Sequence, residues 1–378
     1  MRILIVIPSL GFGGAERLLI TLIPKLIERN CSVEICIFNG PNDLGKELEN
    51  YDVKIHNLNL SHRWAVIETI KKLRKIIDVF KPQVMWGHLY FGILYSRIVS
   101  LFYKKIKVVS VLHYSISSDS HKSGLWYKFR NSIFKISQKL DYKTVAVSKS
   151  IKEDYQNFFQ WKDIDVIYNA IDLKKIDRST QMTDVEKKNL KLEFLSKKDQ
   201  YLVSLPGRLH ESKGHKYLIE AKEILKRDFN LDIRLVFIGD GPNKDALHNM
   251  VKNLDDVVFM GNIPQDELFK ILKVSDFIVI PSLFEAFGLA AVEAMYLEQP
   301  VITTKVDGLL EITTNGLDAM QVEVKNSKDI AIALRNLIQD DLKRIEISQN
   351  ARETASSFDS DFIASKWYKI FKCSILSL

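Results

Sequence analysis

The sequence of 378 residues lacks the features that define several classes of protein. It contains three cysteines, Cys31, Cys36 and Cys373, an odd number with no CxxC pair, which argues against a disulfide framework or a zinc site. With 16 glycines and 9 prolines, the chain is neither collagen-like nor of low complexity. Its longest internal apolar run, residues 89–103, contains Arg97 and is shorter than the ~20 residues that span a bilayer, so we expect a cytoplasmic protein.

Apolar residues are plentiful, because 46% of the sequence is hydrophobic and 10% is aromatic. At ~100–200 residues per domain, this length and composition predict two domains, each with its own core. The first apolar stretch, residues 2–8, is either a short signal peptide or a buried first strand. We favour the strand, because Arg2 alone makes a thin basic region and no small-residue cleavage site follows.

Short strands rich in valine and isoleucine alternate with helical patterns along the chain. Parallel strands buried on both faces have this composition, and the alternation predicts doubly wound α/β domains. In the first half the predicted strands are 2–8, 32–38, 83–86, 107–111, 143–147 and 165–168, and the predicted helices are 15–29, 65–80, 125–139 and 149–159. In the second half the predicted strands are 201–205, 234–238, 257–260, 277–280 and 301–303.

The polar stretch 173–200 interrupts this alternation and predicts a helix or linker between the domains. We place the first domain at residues 1–175 and the second at residues 176–358. The last segment, residues 359–378, has apolar residues at helical spacing, which predicts a packed terminal helix. These residues are Phe362, Ile363, Trp367, Ile370 and Phe371.

The net charge of +7 is unevenly distributed. Residues 61–143 include 16 lysines and arginines but only 4 aspartates and glutamates, a local balance of +12, and aromatic residues lie among these cations. Such a segment is either a set of solvated helix faces or a surface for anionic lipid headgroups or a phosphorylated acceptor. No helix-turn-helix, zinc finger or RNP motif accompanies the charge, so no nucleic acid partner is expected.

Two turns between a predicted strand and a helix have the composition of anion-binding loops. In the first, Gly13 and Gly14 allow the backbone to approach a ligand at a helix N-terminus, although a tight turn alone also explains them. In the second, residues 207–214 (GRLHESKG), Arg208 and Lys213 provide two cations after a strand. Two such cations suit a diphosphate leaving group, and the alternative is that they bridge local carboxylates.

A third motif, residues 281–294 (PSLFEAFGLAAVEA), follows the predicted strand 277–280 and starts a helix near Phe287. Glu285 and Glu293 are ~12 Å apart at 1.5 Å per residue, which exceeds the ~5–10 Å between the paired carboxylates of a glycosidase. The spacing suits two carboxylates that bind different hydroxyls of one extended ligand, and a cap or helix ion pair is the alternative. The amides of Phe287, Gly288 and Leu289 would be unpaired donors at the helix start.

Three further signals are weaker when taken singly. Two glycine turns, one with Gly239 and one next to Ile263, have backbone suited to a flat base. His113 follows the predicted strand 107–111, although a lone histidine is usually structural. The DxD at 163–165 leads into an apolar strand without a second carboxylate group near it in sequence, so we predict no metal site and no cofactor.

Taken in order, these motifs resemble the GT-B-fold glycosyltransferases of family 4. The matching segments are GGAER at 13–17, VSKS at 147–150, VIYNAID at 166–172, GRLHESKG at 207–214, FIGDGP at 237–242 and EAFGLAAVE at 285–293, the E-x7-E motif of retaining members. They cover nearly the whole chain. The resemblance implies two Rossmann-like doubly wound domains that face a central cleft, with the terminal helix 359–378 crossing back to the first domain.

The resemblance also implies a role for each candidate residue. Arg208 and Lys213 would contact the donor diphosphate, Glu285 the sugar hydroxyls, and His113 would lie beside the transferred sugar. The residues that would bind the rest of the donor, including the ribose at Glu293 and a base that is commonly uracil at Ile263, are Gly13, Gly14, Asn169, Gly239, Ile263, Phe287, Gly288, Leu289 and Glu293. Enzymes of this kind need no metal. One departure bears on the donor sugar: Asp307 stands where the family usually has the first glycine of a Gly-Gly turn.

The sequence therefore predicts a retaining transferase that moves a hexose or N-acetylhexosamine from a nucleoside diphosphate sugar, with UDP favoured, to a glycan acceptor. A lipid-linked acceptor and a peripheral position at the inner face of the cell membrane fit the basic segment, as in assembly of capsule, O-antigen or similar bacterial polysaccharides. Two alternatives stay open. One is a nucleotide-sugar epimerase of GT-B fold, and the other is a non-catalytic partner subunit that binds a sugar nucleotide.

Overall fold

The computed structural model describes residues 1–117, 124–197, 199–252, 254 and 256–376. They form two compact units: Met1–Ala170 with Ser360–Leu378, called unit 1 below, and Ile171–Asp359, called unit 2. The predicted basic segment 61–143, the polar stretch 173–200 and the terminal segment 359–378 each include residues outside the described part of the chain.

Unit 1 contains a parallel sheet with helices between its strands. Its elements are β1 (Arg2–Val6), α1 (Gly14–Ile27), β2 (Ser32–Ile37), β3 (Lys54–Asn57), α2 (Val66–Phe80), β4 (Val84–His88), α3 (Leu89–Ser100), β5 (Lys107–Leu112), α4 (Leu125–Ser137), β6 (Lys143–Ala146), α5 (Lys149–Phe159), β7 (Ile164–Val166) and α15 (Ser360–Leu376). The strand order is β3-β2-β1-β4-β5-β6-β7, and every pairing is parallel. This confirms the predicted doubly wound sheet.

Two elements of unit 1 escaped the sequence patterns. Strand β3 is four residues long at a sheet edge and has no fully buried residue, so it lacks the valine- and isoleucine-rich signal of its neighbours. Helix α3 is buried over most of its surface and therefore shows no polar face. Its Arg97 is fully buried and bonds both carboxylate oxygens of Asp141, at 2.8 and 2.6 Å, which offsets the cost of burying its charge.

Helix α15 packs against α1 and β4 of unit 1. Its Trp367 is fully buried, with the ring centroid 4.9 Å from that of Trp86 on β4. Burial of one large aromatic removes ~150–250 Å² from water, worth about 4–6 kcal/mol at ~25 cal/mol per Å². The buried Lys25 of α1 adds an ion pair with Asp361 at 3.4 Å. The prediction was wrong at Phe362, which is exposed beneath the ammonium of Lys366 rather than packed.

Unit 2 contains a second parallel sheet. Its elements are α6 (Leu173–Ser179), α7 (Asp184–Phe194), β8 (Tyr201–Pro206), α8 (His215–Phe229), β9 (Ile233–Ile238), α9 (Lys244–Met250), β10 (Val257–Gly261), α10 (Gln265–Val274), β11 (Phe277–Ile280), α11 (Leu289–Tyr296), β12 (Val301–Thr304), α12 (Asp307–Leu310), β13 (Met320–Val322), α13 (Ser327–Gln339) and α14 (Asp341–Ser356). The strand order is β10-β9-β8-β11-β12-β13. All five strands predicted here are confirmed, and the three-residue β13 was missed because it is too short to carry a pattern.

The strand order of unit 2 reverses direction between β8 and β11, which are neighbours although 70 residues apart in sequence. At such a switch point the loops that follow the two strands diverge and leave a crevice at their carboxyl ends, where doubly wound sheets bind ligands. These loops are residues 207–214 and 281–288, and each lies within a motif recognised from the sequence. Among the described residues, no helix is both long and apolar enough to cross a membrane.

Candidate functional site in unit 2

The loops after β8 and β11 are held together through their backbones. The N–H of Leu283 donates to the carbonyl of Ser212 at 2.7 Å. Gly214 has a φ of +69°, and a Cβ there would lie 1.9 Å from the carbonyl oxygen of Pro281. No residue with a side chain fits this position without displacing the loop, so Gly214 sets how closely the loops approach.

The same approach brings Lys213 and Glu285 into contact across the switch point. Lys213 Nζ donates to Glu285 Oε1 at 2.5 Å, and Ser282 Oγ donates to the same oxygen at 2.9 Å. The two side chains are 27% and 14% exposed, so the pair is shielded but accessible to a ligand. A cation and an anion in contact at the end of a sheet suit a ligand with a phosphate at one end and hydroxyls at the other.

Arg208 is exposed at the end of β8, and none of the described residues forms an ion pair or hydrogen bond with its guanidinium. The sequence left open whether Arg208 and Lys213 bind a ligand or bridge carboxylates of the chain. Lys213 bridges Glu285, whereas the charge of Arg208 is available to an incoming anion. A planar guanidinium in this position can bind two phosphate oxygens at once.

The loop that carries Glu285 contacts the turn at residues 307–308, where the sequence departs from the family pattern. Gly308 N–H donates to the carbonyl of Glu285 at 3.2 Å, and a Cβ on Gly308 would lie 2.3 Å from that oxygen. Only the second position of the Gly-Gly turn is sterically closed in this way. Asp307 is accommodated at the first because its side chain is exposed.

The E-x7-E helix begins later than predicted. Helix α11 starts at Leu289 rather than near Phe287, because Gly288 adopts a φ of +101° and caps it. The spacing of ~12 Å assumed a helical rise throughout, which applies only from Leu289 to Glu293. None of the described residues accepts a hydrogen bond from the amides of Gly288 and Leu289, as expected at a helix N-terminus. Phe287 is buried, with its ring against Phe358.

Glu293 is buried, and its partner was missed by the sequence analysis. Gln265, the first residue of α10, donates from Nε2 to Glu293 Oε1 at 3.1 Å and accepts from Lys175 Nζ at 2.9 Å. Ile263 lies half-buried two residues before Gln265, so the turn predicted to border a base is next to the carboxylate predicted to bind a ribose. A glutamine after a proline has no distinctive sequence signal.

Gly239 and His215 lie behind the loop after β8. Gly239 N–H donates to the carbonyl of Gly261 at 2.8 Å, and a Cβ on Gly239 would lie 3.5 Å from the backbone nitrogen of Arg208. His215 is buried with its ring edge-on to Phe237, and neither ring nitrogen has a hydrogen-bond partner among the described residues. Burial, with a smaller contribution from the charge of Lys213, lowers the pKa of His215 to about 4.

Predicted residues in unit 1

The glycine turn of unit 1 caps α1. Gly13 is the N-cap and Gly14 the first residue of the helix, so the glycine turn lies at a helix N-terminus. Glu16 lies in the first helical turn and accepts a hydrogen bond from Ser9 Oγ at 3.3 Å. Burial raises the pKa of Glu16. Arg17 pairs with Glu47 at 2.7 Å.

His113 follows β5 directly and contacts a second histidine that the sequence analysis did not single out. His88 ends β4, and its Nδ1 is 2.9 Å from His113 Nε2. Burial lowers the pKa of His113 to about 3, and burial together with the neighbouring ring lowers the pKa of His88 well below its usual value. Both rings are therefore neutral at pH 7.

Two further residues named from the sequence, Asn169 and Asp165, lie elsewhere in unit 1. Asn169 is buried, and none of the described residues hydrogen-bonds its Oδ1. Asp165 of the DxD segment pairs with Lys143 at 3.0 Å on the neighbouring strand. That carboxylate is thus engaged in linking β7 to β6.

Relationship to known proteins

Each unit, with its doubly wound parallel sheet and strand-end loops, has the Rossmann-like architecture of GT-B enzymes, and comparison with known proteins agrees. A crystal structure of HepE from Anabaena in complex with UDP-glucose superposes with a TM-score of 0.81 at 21% identity, covering 100% of both chains. Family models described as "Glycosyltransferase Family 4" and "Glycosyl transferases group 1" match residues 12–175 and 186–354. The chain belongs to the group 1 glycosyltransferases of family 4 type, and the predicted GT-B fold is confirmed.

Two curated relatives show how far the similarity extends. An uncharacterized glycosyltransferase of Methanocaldococcus jannaschii is 32% identical over 238 residues, which cover 61% of this chain and 60% of that protein. An N-acetylgalactosamine-N,N'-diacetylbacillosaminyl-diphospho-undecaprenol 4-alpha-N-acetylgalactosaminyltransferase of Campylobacter jejuni is 26% identical over 95% of this chain and 96% of its own. The chain is a glycosyltransferase.

Proposed function

We propose that this chain is a retaining transferase that moves a hexose or N-acetylhexosamine from a uridine diphosphate sugar to a lipid-linked glycan in bacterial surface polysaccharide synthesis. The contact between Lys213 and Glu285 at 2.5 Å carries the proposal. In this pair an ammonium group suited to a diphosphate lies beside a carboxylate suited to sugar hydroxyls. UDP-glucose in the Anabaena neighbour and the diphospho-undecaprenol in the name of the Campylobacter relative support the donor and acceptor classes.

In this proposal, different residues of unit 2 bind different parts of the donor. The diphosphate binds Arg208 and partly replaces Glu285 as the partner of Lys213. The amides of Gly288 and Leu289 donate hydrogen bonds to the sugar nucleotide. Glu293, oriented by Gln265, binds the ribose, and the base lies along the turn at Ile263, backed by Gly239. Each role matches the charge and burial of the group that performs it.

The unit 1 residues have proposed roles of their own. Gly13 and Gly14 are assigned to the donor phosphates, because both are exposed at the start of α1 and a helix N-terminus favours an anion. His113, neutral at pH 7, hydrogen-bonds the transferred sugar without adding charge. The buried amide oxygen of Asn169 has no partner among the described residues and is assigned to substrate binding.

In the reaction, the bond between the anomeric carbon and the phosphate oxygen breaks as the acceptor oxygen bonds to that carbon from the same face. The acceptor proton passes to the departing phosphate oxygen. Negative charge grows on the diphosphate during this step, and Arg208 and Lys213 are positioned to stabilise it, so the chain's own cations serve where a metal ion would otherwise be needed. This is the basis for the proposed metal-independent, retaining mechanism.

The membrane component of the proposal rests on α4. Large apolar side chains on this helix are more than half exposed to solvent, and the helix has three basic residues and no acidic one. The exposed apolar residues are Leu125, Trp126, Phe129 and Ile136, and the basic residues are Lys128, Arg130 and Lys135. Apolar side chains beside cations suit an anionic lipid surface, where a lipid-linked acceptor would be held.

The deciding experiment incubates the protein with UDP-glucose, UDP-galactose, their N-acetylated forms and GDP-mannose, with and without a glycan on a short polyprenyl diphosphate. Nucleotide release that depends on the acceptor, with an unchanged anomeric configuration in the product and no effect of EDTA, supports the proposal. Conversion of the donor sugar without nucleotide release identifies an epimerase. Binding of UDP without either reaction identifies a non-catalytic subunit, and inversion at the anomeric carbon contradicts the retaining mechanism.

A further inference from the structure

The pair formed by His88 and His113 has a geometry that a lone histidine would not have. His88 Nδ1 and His113 Nε2 are 2.9 Å apart, the distance of a good hydrogen bond. The ring centroids are 5.1 Å apart, with planes inclined at 30°. Because one nitrogen of each ring faces the other ring, the tautomers of the two histidines depend on each other.

The position of His88 is fixed by its surroundings. It is fully buried, and its ring lies 4.7 Å from the ring of Trp86 on the same strand. The next residue, Leu89, has a φ of +59°, which a branched side chain rarely adopts. Such backbone strain persists only where the surrounding structure imposes it, and it often occurs at functional positions.

Two neutral imidazoles in contact share one hydrogen between the facing nitrogens. If His88 Nδ1 carries it, His113 Nε2 is the acceptor, and His113 must carry its own hydrogen on Nδ1. If His113 Nε2 carries it instead, His113 Nδ1 is a bare acceptor, and His88 must carry its hydrogen on Nε2. The first arrangement makes His113 a donor toward a ligand, and the second makes it an acceptor.

The environment of His88 Nε2 distinguishes between the two arrangements. This atom is buried, and none of the described residues forms a hydrogen bond with it. The second arrangement would leave a buried N–H without an acceptor, which is rare in proteins, whereas the first leaves only an unused lone pair. The first arrangement is therefore favoured.

We propose that His88 is a positioning residue that holds His113 in the tautomer with its hydrogen on Nδ1, so that His113 donates a hydrogen bond to the sugar. The tautomer follows from contacts within unit 1, whereas the part that concerns the sugar rests on the proposed function. His88 itself touches no substrate in this scheme. It acts only as a hydrogen-bond donor, because its Nδ1–H donates to His113 Nε2.

The tautomer is measured directly on protein labelled with 15N in histidine, by long-range 1H–15N correlation at pH 7.5 without donor. We expect His113 to show a protonated Nδ1 and a bare Nε2, with its signals assigned from their loss in a His113→Gln variant. His56, which contacts Glu34 in the same unit, serves as the internal reference. A protonated Nε2 on His113 would overturn the proposal.

Variants of His88 then separate positioning from packing. His88→Phe keeps a ring but removes the donor, and we expect His113 to shift toward the Nε2-protonated form that free imidazole side chains prefer. His88→Asn keeps an N–H donor and should restore the Nδ1–H tautomer. If the protein transfers sugar, kcat should fall about three- to tenfold in His88→Phe, as for loss of one neutral hydrogen bond, and recover in His88→Asn.

The NMR measurement of the tautomer and the activity assay can each contradict a different part of the proposal. An unchanged His113 tautomer in a folded His88→Phe protein would contradict the role of His88 whatever the enzyme does. An unfolded His88→Phe protein leaves the wild-type spectrum and His88→Asn to decide, since either can contradict the assignment. A wild-type protein with the expected tautomer but without transferase activity would contradict the proposed function and not the pairing.

Discussion

Lys213 Nζ lies 2.5 Å from Glu285 Oε1, although the two residues are 72 positions apart and follow different strands. The contact exists because β8 and β11 are neighbours at the switch point of the unit 2 sheet. In this contact the two opposite charges neutralise each other. A diphosphate that takes over Lys213 would release Glu285 for the sugar, so binding of the two ends of the donor would be linked.

Replacement of Lys213 tests this link. We expect Lys213→Ala and Glu285→Ala each to lower kcat at least a hundredfold, since removal of one preorganised contact to developing charge costs about 3–4 kcal/mol of barrier. The double variant should lose less than the product of the two single losses, because residues in contact are not independent. Lys216→Ala, an exposed lysine on α8, is the matched control. Near-normal turnover in either single variant, with an unchanged melting temperature, would contradict these roles.

Glu293 should govern nucleotide affinity more than catalysis. A hydrogen bond to a charged group contributes about 1.5–3 kcal/mol, so Glu293→Ala should weaken binding of UDP roughly 10- to 100-fold in a calorimetric titration. Gln265→Ala should have a smaller effect in the same direction, because Gln265 orients the carboxylate. Glu298→Ala, which removes a carboxylate paired with Lys273 at 3.5 Å, is the control. Equal UDP affinity in Glu293→Ala and the wild type would rule out the ribose contact.

Gly308 tests the backbone that supports Glu285. A methyl group there would lie 2.3 Å from the carbonyl of Glu285, so Gly308→Ala must displace that loop. We expect a loss of about 1–3 kcal/mol in the free energy of unfolding, as for overpacking, together with reduced turnover. Asp307→Ala, at the exposed neighbouring position, should change stability by less than about 0.5 kcal/mol. Urea titrations of both variants give the comparison, and a fully stable, fully active Gly308→Ala protein would refute it.

His215 makes unit 2 sensitive to acid. Its folded pKa of about 4 lies below the unfolded value of ~6.5, so the unfolded chain binds a proton in that interval and the folded chain does not. Stability from this group is therefore complete above pH 6.5 and declines as pH falls toward 4, by up to ~1.4 kcal/mol per unit. His215→Leu should gain stability relative to the wild type between pH 7.5 and pH 4.5. The exposed His248→Leu is the control, and a pH-independent difference for His215→Leu would be the contrary result.

The exposed side chains of α4 should determine vesicle binding. We expect the wild type to float with vesicles of phosphatidylglycerol and phosphatidylethanolamine, and much less with neutral phosphatidylcholine vesicles. Trp126→Ala with Phe129→Ala should reduce binding to the anionic vesicles about tenfold or more, since each exposed aromatic offers a large apolar surface. Leu342→Ala, which removes a comparably exposed apolar side chain from α14, should not. Equal flotation with both lipid compositions would remove the support for a membrane surface.

Strand positions were predictable where a strand is buried on both faces, as at β1 and β11, because such strands need continuous β-branched and apolar residues. The pattern fails at an edge, where β3 has no fully buried residue, and in α3, which has no polar face. The start of α11 was misjudged for a local reason. Gly288 adopts a positive φ, which delays the helix by two residues, and composition does not reveal that conformation.

The candidate residues were found from sequence because their types and spacing express chemistry: two cations after one strand, two carboxylates around the start of a helix. Their partners were not predictable. Gln265 and His88 have ordinary sequence contexts, and their contacts with Glu293 and His113 join residues 28 and 25 positions apart.

By itself, the sequence determined the fold class and the order of the motifs, since alternating strands and helices and glycine-bounded loops are local properties of the chain. Only the tertiary structure decided which of those loops meet. Sheet pairing places β8 beside β11 and β4 beside β5, and that pairing depends on contacts between residues far apart in sequence. The pairing of Lys213 with Glu285 and the tautomer we infer for His113 are consequences of that packing, which no local pattern encodes.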